Sequence, residues 1–354
     1  MKKILNKVRV GINGFGRIGR LFLREAIKYS DIEVVAINDI KPVRDLVYLL
    51  KYDSVHGQLP TVSLKENSIA LAGRGIIPCL SLPDPEELDW DELGADYILE
   101  TTGQFTNYLN AVKHLAAGAR QVLIGAPTKD HEKIPTLIFG VNHHQFNSKQ
   151  HLIISAAGCT TNCLAPIVKI LNDKFGLKSG MMMSVHAYTA TQALVDGAAD
   201  SKKKEQRRLR AAAENIVPAT SSATKNIEIV LPELQGKLTG TALRVPIANV
   251  SAVDFTFSTT QATSYQHICE VIRDAAEGEF SHILGYTEDP VVSSDFRGDS
   301  HSAIFDASAG TELNSNFFKI LAWYDNEYGY TCRLLDLIRF MATKNCSELK
   351  IGTL

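Results

Sequence analysis

Apolar positions in the first 150 residues fall into short runs separated by helical spacings. Val8, Val10 and Ile12 alternate with Lys7, Arg9 and Gly11, which predicts a strand. Ile18, Leu21, Phe22, Ala26 and Ile27 then recur at helical spacing. Val34-Val35-Ala36-Ile37 is a second strand-like run and ends in Asn38-Asp39. Further strands are predicted over 96–100, ending at Thr101-Thr102-Gly103, and over 121–124, 136–139 and 152–154. A helical pattern over 108–117 closes at Gly118, a natural C-terminal stop. Strands alternating with helices imply a largely parallel sheet, with ligand at the carboxyl ends of its strands.

Beyond about residue 175 the period changes. Longer alternating runs cover 180–188, 238–245, 250–258 and 317–324. Val253, Phe255 and Phe257 alternate with Asp254 and Thr256, so one face is buried and one is polar. With a helix over 265–276, this predicts a mostly antiparallel sheet under a covering helix. Leu334, Leu337, Ile338 and Met341 give a last helix one apolar face, expected to pack back onto the first domain. The fold class is therefore α/β: a Rossmann-type, mostly parallel sheet domain plus an α+β catalytic domain with a mostly antiparallel sheet. The expected boundaries are 1–158, completed by a C-terminal helix at 328–354, and 159–327.

Candidate chemistry lies at the junctions of these patterns. Asn13-Gly14-Phe15-Gly16-Arg17-Ile18-Gly19 is G-x-G-x-x-G between a strand and a helix, and Asp39 ends the next strand. Gly14 permits a tight turn, Gly16 a close approach to pyrophosphate, and Gly19 close packing of helix on strand. Asp39 would bond ribose hydroxyls and repel a 2′-phosphate, favouring NAD over NADP. Cys159 follows a strand and opens the helical pattern Leu164, Ile167, Val168, Ile170, Leu171. Most intracellular cysteines are simply small buried hydrophobes. A helix start, however, favours an anion and lowers a thiol's pKa. His186, mid-strand in 183–189, could hold a Cys159 thiolate as an ion pair and act as acid or base. Arg244, beside a strand end, is better placed to grip phosphate than the lysines of the basic run 202–210, which read as solvated surface.

Composition narrows the class. The 354 residues are 45% hydrophobic and 21% charged, enough for a large core in two domains. A net charge of −2 gives no drive toward nucleic acid or anionic membrane. No apolar run approaches a membrane span, and Ile4-Leu5 is too short for a leader's apolar region. Six scattered cysteines without a CxxC pair suggest neither zinc site nor disulfide framework, so a reduced, cytoplasmic protein is expected.

Taken together, KVRVGINGFGRIGR, VVAINDI, CTTNCLAP, VHAYTATQ, LTGTALRVPIANVSAVD and WYDNEYGY closely resemble glyceraldehyde-3-phosphate dehydrogenase, in order from about Val8 to Met341. The resemblance implies an NAD-dependent, phosphorylating oxidation in glycolysis. Cys159 would form a thiohemiacetal, His186 would take the proton, and inorganic phosphate would attack the resulting thioester. It also implies that Thr189 and Arg244 bind the substrate phosphate, with Arg208 shared between two anion sites. Thr160 and Ser221-Ser222 would line the site of the attacking phosphate. Arg17 and Ile18 would sit on the pyrophosphate, Thr102 in the cofactor site and Asn326 on the nicotinamide amide. The family is usually a homotetramer.

Three departures from the family pattern stand out. Gly158 replaces a usual Ser before the nucleophile, and Ser221-Ser222 replace Thr-Gly. The loop from Asp196 to Arg207 is about three residues longer than usual, with the extra residues in 200–204. The first two predict a raised requirement for inorganic phosphate. Other functions fit less of the chain. An erythrose-4-phosphate dehydrogenase would usually break the VHAYTATQ pattern. A low-activity paralogue that binds RNA or a partner through 202–210 would not need Cys159, His186, Arg244 and Asn326. A papain-like hydrolase leaves the glycine triplet and Asp39 unexplained.

Overall fold

The alternating run at the start of the chain forms β1 (Val8–Asn13). The helical spacing after it forms α1 (Arg17–Ala26), which leads to β2 (Ile32–Asn38). The computed structural model describes residues 7–197 and 205–351, so the extra loop residues 200–204 lie outside the described residues. The chain divides into two units. One holds Met1–Phe139, His143–Ala157 and Thr331–Leu354, the other Gly140–Asn142 and Gly158–Tyr330.

In the first unit α2 (Val43–Lys51) is followed by a small hairpin, β3 (Tyr52–Asp53) and β4 (Gly57–Gln58). Then come β5 (Val62–Lys65), β6 (Ser68–Leu71), β7 (Gly75–Leu80), β8 (Tyr97–Glu100), α3 (Tyr108–Ala116), β9 (Gln121–Ile124) and β10 (Ile153–Ser155). The sheet order is β10-β9-β8-β1-β2-β7-β6-β5. Strands β10 to β7 are parallel, while β7, β6 and β5 turn back antiparallel. Val10, Ile12, Ile37, Ile98 and Leu99 are fully buried, as strands covered on both faces require. The winding reverses between β1 and β8, the point where such sheets open a crevice at their carboxyl edge.

The run 136–139 is not a strand, contrary to its apolar pattern. Thr136 makes only an isolated parallel bridge to Ser155. Pro135 has no N–H to extend the ladder, and Gly140 (φ +83°) turns the chain away. Leu137 and Ile138 are apolar because they are buried.

The second unit contains α4 (Cys159–Phe175), β11 (Leu177–Ala187), β12 (Val217–Thr220), α5 (Ala223–Val230), β13 (Leu238–Val245), β14 (Ser251–Thr259), α6 (Tyr265–Glu277), β15 (Leu284–Thr287), β16 (Ala303–Asn314) and β17 (Phe317–Tyr324). Its sheet order is β12-β13-β11-β14-β17-β16-β15. Four neighbouring pairs are antiparallel; β11–β13 and β15–β16 are parallel. Phe255, Phe257 and Phe318 point inward from β14 and β17, with the first two rings stacked. The last helix, α7 (Tyr328–Ile351), belongs to the first unit from Thr331 onward. There Leu334, Leu337, Ile338 and Met341 are buried, and Asn345 Nδ2 donates to Tyr97 Oη and Gln121 Oε1.

One ion pair ties α1 to the hairpin. Arg17 Nη1 donates to Asp53 Oδ2 at 2.7 Å, and Asp53 Oδ1 accepts from the N–H groups of Val55 and His56. Burial pushes the Asp53 carboxyl up, but the His56 and Val55 N–H groups and Arg17 outweigh it and hold it below its usual value. A depressed folded pKa stabilises the fold above the unfolded pKa, and that stability is lost as pH falls through the folded value. Asp53→Asn is expected to lower Tm by about 2–4 °C at neutral pH. The gap should persist down to about pH 4.5 and narrow below it. Thermal melts over a pH series check this; a gap that widens in acid counts against it.

Candidate active site

In the first unit the chain leaves β1 through Gly14, at φ +93°. A Cβ there would meet Thr102 N at 2.5 Å, and one on Gly19 would meet Gly14 O at 2.4 Å. Glycine is needed at both positions for close packing. A Cβ on Gly16 would meet nothing within 4 Å. Gly16 stands before α1 with no side chain capping the helix, so the helix start faces open space suited to an anion. Asp39 Oδ2 accepts from Phe15 N at 2.8 Å, which fixes the acid beside the glycine turn. A cavity of about 280 Å³ is lined by Asn13, Gly14, Gly16, Asp39, Thr101 and Thr102 among others. A glycine cradle, a helix start and a carboxylate at the strand end fit a dinucleotide. Ile18 lies half-buried on the first turn of α1, and the Arg17 guanidinium rests on Asp53.

In the second unit Cys159 is the first residue of α4, after an extended Gly158 that offers no side-chain cap. Ala157, just before it, has φ +53°, a left-handed conformation that a non-glycine residue adopts only under strain. His186 is near the end of β11, and the parallel register pairs it with Arg244 of β13. The same register brings both side chains to one place. Cys159 Sγ lies 3.4 Å from His186 Nε2. His186 Nδ1 lies 2.7 Å from Ala187 O; with the ring proton on Nδ1 and donated there, the Nε2 lone pair faces sulfur. Arg244 Nη1 lies against Nδ1 and donates to Ala187 O at 3.2 Å.

The protonation states differ from those the sequence predicts. Burial pushes the Cys159 thiol up, against the pull of Arg244 and of Thr160. Burial, then the Arg244 charge, pushes His186 down to about 3. The helix start therefore does not produce a standing thiolate, nor is the pair an ion pair at rest. Burial of His186 and half-burial of Cys159 disfavour both charges. Both shifts favour a neutral pair, with the proton on sulfur and the imidazole placed to receive it.

Residues 158–326 match the family profile described as glyceraldehyde 3-phosphate dehydrogenase, C-terminal domain, and residues 8–108 match that family's NAD binding domain. The chain belongs to the glyceraldehyde-3-phosphate dehydrogenase family. It is 56% identical over 339 residues to glyceraldehyde-3-phosphate dehydrogenase 1 of Nostoc sp., covering 96% of this chain and 98% of the relative. The enzyme of Chlamydia pneumoniae is 49% identical, covering 94% and 98%. A cytosolic form from Magnolia liliiflora is 47% identical, covering 96% and 98%.

The other residues that the family resemblance singles out are distributed as follows. Thr189 Oγ1 and Thr191 Oγ1 share a hydrogen bond of 2.9 Å, and Arg208 Nη1 donates to Thr191 Oγ1 at 3.2 Å. The Arg208 charge acts on both His186 and Arg244, so the two arginines form one positive cluster beside a neutral imidazole. Thr160 Oγ1 instead pairs with the Tyr324 hydroxyl at 2.9 Å. Ser221 Oγ accepts from Ala223 N, and Ser222 Oγ from Asn226 Nδ2, both at the start of α5. Asn326 Oδ1 accepts from Ser251 Oγ at 2.8 Å.

Sequence reading missed Tyr324. Its buried hydroxyl joins Thr160 to Ser184, and its ring meets the His186 ring edge to face. A tyrosine at an inward position of an alternating strand was the available signal, since a buried phenol needs a partner. Asp325 was also missed; it accepts from Asn249 Nδ2 and Gly298 N and pins the corner that carries Asn326.

Proposed function

We propose that the chain is a phosphorylating, NAD-dependent glyceraldehyde-3-phosphate dehydrogenase. It would convert glyceraldehyde 3-phosphate to 1,3-bisphosphoglycerate through a thioester on Cys159. The observation that carries this reading is the 3.4 Å approach of Cys159 Sγ to a neutral, arginine-flanked His186, in a chain of this family. His186 Nε2 takes the thiol proton as sulfur attacks the aldehyde carbon and passes it to the developing oxyanion, which gives the thiohemiacetal hydroxyl and a neutral imidazole again. The N–H groups at the start of α4 and Arg244 offset negative charge that develops there. His186 then takes the proton of the thiohemiacetal hydroxyl as the carbon is oxidised. Bound NAD supplies the hydride acceptor. Inorganic phosphate displaces Cys159 from the thioester and leaves as the acyl phosphate.

Thr189, Arg208 and Arg244 are assigned to the substrate phosphate; Thr160, Ser221 and Ser222, with Arg208 shared, to the attacking phosphate. In the cofactor site Gly14, Gly16, Arg17, Ile18, Gly19, Asp39 and Thr102 hold the dinucleotide and Asn326 its amide. A homotetramer fits the second unit's exposed apolar side chains, Met181, Leu194 and Val195, which a partner would cover. Six free cysteines fit a reduced, cytoplasmic setting. Among the described residues no helix is long and apolar enough to cross a membrane.

NADH formation from glyceraldehyde 3-phosphate, with and without phosphate, tests the reading, with erythrose 4-phosphate as the competing substrate. Strong phosphate-dependent turnover supports it. Preference for erythrose 4-phosphate, or NAD binding without turnover, overturns it. Gly158 supplies no hydroxyl, and Ser221 Oγ is engaged at Ala223 N. A lost donor to an anion is worth about 1.5–3 kcal/mol. Gly158→Ser is therefore expected to lower the phosphate KM by about tenfold. An unchanged KM would show that the attacking phosphate is held elsewhere.

A further inference from the structure

A buried polar chain in the first unit serves no step of that chemistry. Trp90, His114 and Glu100 are essentially fully buried, at 0%, 0% and 1% exposure. Trp90 Nε1 donates to His114 Nδ1 at 3.1 Å. An indole N–H only donates, so Nδ1 is the acceptor and the ring's proton sits on Nε2. Nε2 faces Glu100 Oε2 at 3.1 Å, and Asn13 Nδ2 donates to the same oxygen at 2.6 Å. The other oxygen, Oε1, accepts from Thr102 N at 2.7 Å and from the Thr102 hydroxyl. The carboxylate therefore has four donors, none of them cationic with the ring in this tautomer.

Such a group is a costly way to fill a core, because apolar side chains of similar volume pack at no desolvation cost. What it holds is informative. Thr102 lines the cavity beside Gly14 and Asp39, and Thr102 N is the atom that a Cβ on Gly14 would strike. Thr101 Oγ1 also donates to Gly14 O at 2.7 Å. The end of β8 and the glycine turn after β1 face each other at the point where the sheet's winding reverses. A shift of Thr102 would move the wall against which the glycine turn is packed.

We propose that Trp90, His114 and Glu100 are positioning residues for NAD. Their hydrogen-bond chain fixes the Thr101–Gly103 turn against the glycine turn, and so presets the nucleotide crevice. The inference rests on the reading of this cavity as the NAD site.

The test uses the full-length protein and three variants, with NAD titration, steady-state kinetics and thermal melts. His114→Leu removes the donor to Glu100 and the acceptor for Trp90. It is expected to raise the NAD Kd and KM by about tenfold, with kcat at saturating NAD and the aldehyde KM near parental values. His114→Gln can accept from the indole and donate to Glu100, and is expected to restore NAD affinity. Should His114→Leu fail to fold, Trp90→Phe, which leaves the ring's tautomer unset, is expected to raise the NAD Kd about threefold. A folded His114→Leu or Trp90→Phe protein with parental NAD Kd overturns the proposal, as does a purely thermal effect shared by His114→Gln. Failure of the unaltered protein to bind NAD would overturn the reading of the cavity itself, and the inference with it.

Discussion

Cys159→Ser is expected to lower kcat for NADH formation by about 10⁴–10⁶-fold while NAD binding persists. The replacement keeps the position at the head of α4 and the hydrogen-bonding capacity toward His186. It removes the sulfur. A serine hydroxyl is far harder to deprotonate than a thiol, and a neutral imidazole is a weak base for that purpose. Burial already pushes the thiol up, so there is no margin for a poorer acid. The acyl group would also rest on oxygen as an ester, which phosphate displaces more slowly than a thioester. NADH production and NAD titration on the same protein separate chemistry from binding. Turnover within about tenfold of the parent would remove Cys159 from the mechanism.

His186→Asn should cost about 10²–10⁴ in kcat. Asparagine can occupy much of the space and still bond to Ala187 O, but it cannot take a proton from sulfur. A second readout follows from the thiol itself. In the parent, the neutral Nε2 at 3.4 Å assists attack by sulfur on any electrophile, including an alkylating reagent. In the variant that help is gone, and reactivity depends on free thiolate alone. Burial raises the thiol, so the alkylation rate of the variant should be low at neutral pH. It should climb only as pH passes the ordinary thiol range. Equal alkylation rates in parent and variant near neutral pH would reduce His186 to a packing role.

The parts of this fold that could be read from sequence are those set by local pattern. The alternating runs 238–245 and 317–324 became β13 and β17 with those bounds, because turn-forming residues flank each run. The glycine turn could be read because each glycine has a steric reason that acts within a few residues or against one neighbouring strand. The antiparallel extension β5-β6-β7 was not visible; its strands are short and half exposed, so alternation is weak. The charge state of the Cys159–His186 pair was beyond reach for another reason. The helix start is a local feature and predicts a lowered thiol, whereas burial comes from elements distant in sequence and acts the other way. Glu100 looked like the polar end of a strand. Only the structure shows that His114, fourteen residues later, and Asn13, on the neighbouring strand, close over it.

The placement of α7 bears on how the protein is made. The first unit begins to emerge from the ribosome with β1, yet Leu334, Leu337, Ile338 and Met341, which belong to its core, emerge among the last. Tyr97 and Gln121 wait for Asn345 in the same way. Until then the nascent sheet carries an uncovered apolar surface while the whole second unit is synthesised. Domains generally fold in the order in which they emerge. Here the unit that starts first finishes last, since part of its core is supplied only by the final helix.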